Sequence, residues 1–92
     1  MNILDSCYRP KVGLDVEDTG DEVLIYLPAI DKTLYLNETA ALVWRLCDGH
    51  RTGFEIADLL AEAYPEAHQL IKQQVQEGLA DFMERGVIEI VS

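Results

Sequence analysis

The sequence predicts an α+β domain, a three-stranded antiparallel sheet followed by a three-helix bundle. Three observations carry this. Apolar residues alternate between positions 11 and 36, as they do in half-buried strands. From Ala40 onward they recur every three or four residues, as they do in helices. Between the two lies the stretch 36–49, LNETAALVWRLCDG, where one period gives way to the other.

Residues 1–10 show no period and are expected to form a flexible or extended arm. In residues 11–17, Val12, Leu14 and Val16 fall on one face, predicting a first strand with those three turned to the core. Asp18, Thr19, Gly20 and Asp21 make a turn. Residues 22–27 are the second strand of the hairpin, with Val23, Ile25 and Leu27 inward and Leu24 and Tyr26 on the opposite face. Pro28 cannot donate to a ladder and belongs at the end of that strand. Thr33, Leu34, Tyr35 and Leu36 form the third strand, Leu34 and Leu36 on one face, Thr33 and Tyr35 on the other. In a meander this strand pairs on one side only, so its far side is an open edge.

Asn37 is a good N-cap for the first helix, and Glu38 suits the positive end of the helix dipole. Ala40, Val43, Trp44 and Cys47, widened by Leu42 and Leu46, leave the helix apolar nearly all round apart from Arg45. A central, buried helix follows from that, with Gly49 as its stop. Thr52 and Glu55 have the spacing of a capping box. They open a second helix running to about Tyr64, with Ile56, Leu59, Leu60 and Ala63 inward and Pro65 ending it. In a third helix, residues 67–85, Ile71, Val75, Leu79, Phe82 and Met83 share a face. Gly78 interrupts it at a cost of about 1 kcal/mol relative to alanine, which suggests a close contact there. Gly86 ends it, and residues 87–91, VIEIV, read as a short strand or a tail. The short link between the last two helices makes the arrangement winged-helix-like, and residues 1–92 read as one domain.

Seven basic against seventeen acidic residues give a net charge of −10. Nucleic-acid binding depends on clustered lysine and arginine, so the balance argues against it. The third helix as a DNA-recognition helix offers Lys72 among Gln73, Gln74, Gln76 and Glu77, a poor match to phosphate. No apolar run approaches a membrane span, and the start, MNILDSCYRP, lacks the pattern of a signal peptide, so a cytoplasmic protein is expected. Cys7 and Cys47 fit no metal or redox spacing, Cys47 reading as core. His50 and His68 have no second ligand at useful spacing. Serine occurs only as Ser6 and Ser92 at the two ends, and Asp81 with Glu84 belongs to a solvated face. There is no phosphate loop or nucleophile elbow either, so no catalytic role, cofactor or metal is expected.

Recognition of a peptide or protein is what remains. An extended peptide can add to the open side of Thr33, Leu34, Tyr35 and Leu36 through main-chain hydrogen bonds. If the third helix lies beside that edge, Ile71, Val75 and Leu79 serve as core, as groove wall, or as both. A DNA-binding winged helix, a small adaptor for a folded protein, and a homodimer through Leu24, Tyr26 and the terminal segment are the alternatives.

LNETAALVWRLCDG followed by RT and EIADLLAEAY resembles the PqqD family, whose founding member serves pyrroloquinoline quinone biosynthesis. Arg9 and Pro10 before the first strand and the closing DFMERGVIE resemble its ends, so the likeness runs over residues 9–89. It implies a RiPP recognition element, a small winged-helix-like domain that binds the leader of a ribosomally made precursor peptide. Such a domain acts as a peptide chaperone and presents the leader to a modifying enzyme, often a radical SAM enzyme. In the family the leader adds to the third strand and packs on the third helix. By position this implies Thr33, Leu34, Tyr35 and Leu36, with Ile71, Gln74, Val75 and Gly78 or Leu79. Where the founding subgroup has a tryptophan in the second strand and a Pro-Glu pair before the third, this chain has Tyr26 and PAIDK. Either the quinone pathway or another peptide pathway is therefore implied.

Overall fold

Five strands and three helices follow one another as β1 (Cys7–Pro10), β2 (Asp15–Asp18), β3 (Val23–Leu27), β4 (Lys32–Leu36), α1 (Glu38–Leu46), α2 (Gly53–Ala63), α3 (His68–Arg85) and β5 (Ile88–Val91). They are seen in a computed structural model that describes residues 2–91. Met1, part of the expected arm, and Ser92, one of the two serines, lie outside those residues. Strands β2, β3 and β4 form an antiparallel meander, and β1 pairs with β5 in a separate two-stranded sheet. The meander and the three helices after it follow the two apolar periods.

The hairpin turn sets the pattern of the meander. Gly20 takes φ 92° at the first central position of a two-residue loop, which a glycine enters without penalty. The Thr19 N–H donates to the Glu22 carbonyl at 3.0 Å. Val23, Ile25 and Leu27 are buried, as the alternation predicts, while Leu24 and Tyr26 are half-buried on the far face.

Helix starts are equally local. Asn37 accepts from the Ala40 N–H at 2.8 Å, fixing the corner where β4 becomes α1. At α2, Thr52 Oγ1 accepts from the Glu55 N–H at 3.1 Å, and the Glu55 carboxylate accepts from the Thr52 N–H at 2.9 Å. Trp44 of α1 meets Phe82 of α3 edge to face, ring centroids 5.7 Å apart, a preferred aromatic geometry. Cys47 is buried, and burial pushes its thiol pKa up to about 12, so it stays protonated as a core residue.

Several expectations are corrected. The N-terminal segment is not a free arm. Leu4 and Tyr8 are fully buried, β1 is zipped to β5, and the Tyr8 hydroxyl donates to the Ile3 carbonyl. The far side of β1 is held too: the Gly49 N–H donates to the Tyr8 carbonyl at 2.7 Å and the Gly53 N–H to the Ser6 carbonyl at 3.1 Å. Long-range pairing of this kind has no periodic signature in a four-residue strand. Nor does the first strand of the meander run from Lys11. Gly13 turns the chain there with φ 86°, and Val12 is 94% exposed. What remains is β2, short and solvent-facing, with Val16 exposed despite its inward register. Helix α1 ends at Leu46 rather than Gly49, and it buries Ala41 where Ala40 was expected. In α2 the buried set is Gly53, Ile56, Ala57 and Leu60, with Leu59 and Ala63 outward; in α3 Met83 is outward. The segment VIEIV contributes a strand, β5, rather than a tail.

The hairpin is moored to α1 by Arg45. Its guanidinium donates to both Asp18 carboxylate oxygens, at 2.8 and 2.9 Å, and to the Gly20 carbonyl at 3.2 Å. The Arg45 bonds to its carboxylate, with a further one donated by the Gly20 N–H at 2.9 Å, bring the Asp18 pKa down to about 2. A depressed carboxylate contributes stability that is present above its unfolded value, near 3.8, and lost as pH falls through 2. Wild type and Asp18→Asn should therefore differ in urea midpoint at pH 5 and converge towards pH 2. A gap that persists at pH 2 would mean that Asp18 acts otherwise. Gly53 supplies a second test. A Cβ there would lie 2.8 Å from Leu4 Cα and 3.0 Å from Leu79 Cδ1. Gly53→Ala should cost about 1–3 kcal/mol by urea denaturation, since a tight core resists an added methyl. An unchanged midpoint would show that the N-terminal segment does not sit on α2.

Candidate functional site

The site begins with a count of hydrogen bonds along β4. In an antiparallel ladder, residues alternate between those that bond their partner and those that turn their N–H and C=O away. The Thr19–Glu22 bond fixes which is which. Glu17 then bonds Leu24 and Asp15 bonds Tyr26 across β2 and β3. Val23, Ile25 and Leu27 are left to bond Leu36, Leu34 and Lys32 of β4. Thr33 and Tyr35 therefore direct their peptide groups to the side where β4, among the described residues, has no strand neighbour. The flank that the sequence left bare is bare in the fold.

What lies beside that flank is a groove of about 290 Å³. One wall is Thr33, Leu34, Tyr35 and Leu36; the corner is Asn37 and Ala40; the other wall is Gly78, Asp81, Phe82 and Arg85 of α3. A neighbouring depression of about 290 Å³ shares Asn37, Ala40, Gly78 and Asp81 with it and continues to Val43, Gln74 and Glu77. Together they make one path from the open edge across α3. Phe82 is buried with its ring braced by Trp44. Asp81 and Arg85 form an ion pair across one turn, with Arg85 Nε 2.9 and 3.0 Å from the two carboxylate oxygens.

Six of the nine residues expected at the site border this path: Thr33, Leu34, Tyr35, Leu36, Gln74 and Gly78. Ile71, Val75 and Leu79 do not. They are buried in the core, so for them the core alternative holds. Ile71 touches only a separate hollow with Leu42, Leu60 and Tyr64. Gly78 permits no close contact within the chain either, because a Cβ built there meets nothing within 4 Å. The sequence reading missed Asn37, Ala40, Asp81, Phe82 and Arg85. A signal was available: Gln74, Gly78, Asp81 and Arg85 recur at i, i+4, i+7 and i+11, a stripe flanking the buried one.

Two of the other edges are less open. β2 is acidic, with Asp15, Glu17 and Asp18 along it, a device that discourages strand pairing. β1 is covered by the bonds from Gly49 and Gly53. Five of the seven basic side chains are also engaged. Each of the four arginines is ion-paired, Arg9 with Glu89, Arg45 with Asp18, Arg51 with Asp48 and Arg85 with Asp81. Lys72 lies over the Phe54 ring at 5.2 Å. His50 and His68 lie exposed in different parts of the chain. Among the described residues no cluster of histidine, cysteine or carboxylate could hold a metal ion, and no helix is long and apolar enough to cross a membrane.

An unpaired strand flank beside a helix-walled groove defines a small α+β domain whose sheet is open to pairing at one edge. The chain belongs to the PqqD family, described as coenzyme PQQ synthesis protein D, whose model matches residues 14–88. Its fold is shared by solved structures at 22% identity. One is a lasso peptide synthetase B1 complexed with its leader peptide, with a TM-score of 0.76 over 91% of this chain and 99% of that one. Another is the PqqD truncation of Methylobacterium extorquens PqqCD, a stand-alone RiPP recognition element, with a TM-score of 0.68 over 96% of this chain and 97% of that one. No curated protein sequence matches the chain significantly.

The bond alternation along β4 is open to direct measurement. In hydrogen-exchange NMR of the free protein, the Thr33 and Tyr35 amides should exchange much faster than those of Leu34 and Leu36. Four equally protected amides would mean that the edge is covered.

Proposed function

We propose that this protein is a non-catalytic peptide chaperone of the cytoplasm. It binds the leader of a ribosomally made precursor peptide by strand addition to β4 and presents it to a modifying enzyme. The observation that carries this reading is the outward-facing peptide groups of Thr33 and Tyr35 beside an unfilled groove. Family membership supports it, as does the fold shared with a stand-alone recognition element and with a lasso peptide synthetase B1 complexed with the leader peptide. Binding here needs no chemistry beyond hydrogen bonds and side-chain burial. A radical SAM enzyme is the partner class we favour, in the quinone pathway or another one. The DNA-binding alternative loses support from the four paired arginines. A homodimer through Leu24 and Tyr26 is less favoured, since both are already half-buried and the Tyr26 hydroxyl donates to Asp31 at 2.9 Å.

Peptides matching the N-terminal halves of short reading frames beside the gene are the probes. A cognate leader should shift the amide signals of Thr33, Tyr35 and Gly78 in NMR titration. Tyr35→Pro removes an N–H that the internal ladder does not use, so the edge position tolerates it. It should weaken binding roughly 5- to 100-fold, the cost of leaving one buried acceptor unpaired. Shifts confined to β2 and the 18–22 turn, or unchanged affinity in Tyr35→Pro, would exclude β4 as the docking strand.

A further inference from the structure

The meander turns Val23, Ile25 and Leu27 inward, and its other face is laid out by the register in two rows, Asp15–Tyr26–Thr33 and Glu17–Leu24–Tyr35. A hollow of about 330 Å³ lies on that face, lined by residues of β2, β3 and β4 alone, with Leu24 and Tyr26 as its floor. Antiparallel sheets commonly turn polar residues to water on such a face. Here the central strand offers Leu24 and Tyr26, both half-buried, and Tyr35 at the margin is 77% exposed. The Tyr26 hydroxyl donates to Asp31 at 2.9 Å, which anchors its ring on the floor. The acids at the opposite margin differ from the rest of the chain's charge. Each arginine is held by an acid, yet Asp15 and Glu17 take part in no ion pair among the described residues. Discouraging strand pairing accounts for charge on β2. It does not account for an uncovered tyrosine two strands away.

We propose that this outer face is a docking surface for a second protein that presents an arginine-rich patch. A guanidinium can lie flat on a tyrosine ring and hydrogen-bond a carboxylate at the same time. This hollow holds both partners, Tyr26 and Tyr35 with Asp15 and Glu17. The net charge of −10 steers a basic surface towards the chain. A second copy fits worse, because it brings the same negative excess and its arginines are already paired. Nucleic acid and anionic lipid carry the wrong sign. The proposal goes beyond the reading of β4 as a docking strand and does not depend on it. Strand addition uses the main chain of Thr33 and Tyr35 at the edge, whereas this face uses side chains and needs no added strand.

The test uses a phage-displayed library of disulfide-closed nine-residue peptides, whose turned shape suits them poorly to strand addition, selected on the intact protein. Enriched sequences should carry arginine. Once synthesised, they should shift the Leu24 methyl signals and the ring signals of Tyr26 and Tyr35 in NMR titration. Glu17→Lys should weaken them at least about tenfold, and added salt should weaken them in the wild type. Glu62→Lys makes the same change of charge at an exposed position of α2 and should leave affinity within about twofold, since a charge on another element is screened. Equal losses in the two variants overturn the proposal, because the attraction would then be to net charge alone. A library that yields no arginine-bearing binder overturns it, as do binders whose shifts miss this face. So does sedimentation in which the free protein self-associates and Tyr35→Ala abolishes it, which makes a second copy the occupant.

Discussion

A backbone N–H and C=O buried without partners is costly, and a strand edge left open to water holds them ready for a partner. In this protein that constraint is concentrated on two residues. The phase of the ladder, fixed at the Thr19–Glu22 turn and carried across β3, leaves Thr33 and Tyr35 with their peptide groups outward. Shift the register by one residue and Leu34 and Leu36 would turn away from the helices while the same groups turned inward. Edge chemistry and core packing are therefore specified together.

The rest of the domain keeps that edge in place and the space beside it free. The Asn37 cap ties the end of β4 to α1. Arg45 ties α1 back to the hairpin turn, and Trp44 ties α1 to α3 through Phe82. The buried row of α3, Ile71, Val75, Leu79 and Phe82, sets the rotation of the helix. That rotation turns Gln74, Gly78, Asp81 and Arg85 towards the groove. Beneath, Leu4 and Tyr8 close the core against α2, where Gly53 leaves just enough room for the N-terminal segment.

Much of this was written in local chemistry. Asn37, the Thr52–Glu55 box and Gly86 mark helix ends by interactions within a few residues, so they could be read directly. The inward set Val23, Ile25 and Leu27 was equally plain, because a central strand buries one whole face. The β1–β5 sheet was not legible: its partners are some eighty residues apart, and CYRP has no alternation to betray it. Val12 misled because alternation cannot tell a strand from a turn that begins inside it. At the groove, the edge position of β4 was legible from the order of strands; of the α3 residues weighed, Gln74 and Gly78 border the groove and Ile71, Val75 and Leu79 are core. Large apolar residues announce the core, whereas a groove is lined by what flanks them. Gly78 was noticed for its cost, and only the coordinates show that nothing within the chain requires it.

The decisive experiment is an isotope-edited NOE spectrum of the protein with a bound leader peptide. Strand addition predicts cross-peaks from the peptide backbone to the amides of Thr33 and Tyr35, with side-chain contacts alternating onto Gly78 and Phe82. Cross-peaks that instead gather on β2 or on the hollow between α1 and α2, with none from β4, would contradict it.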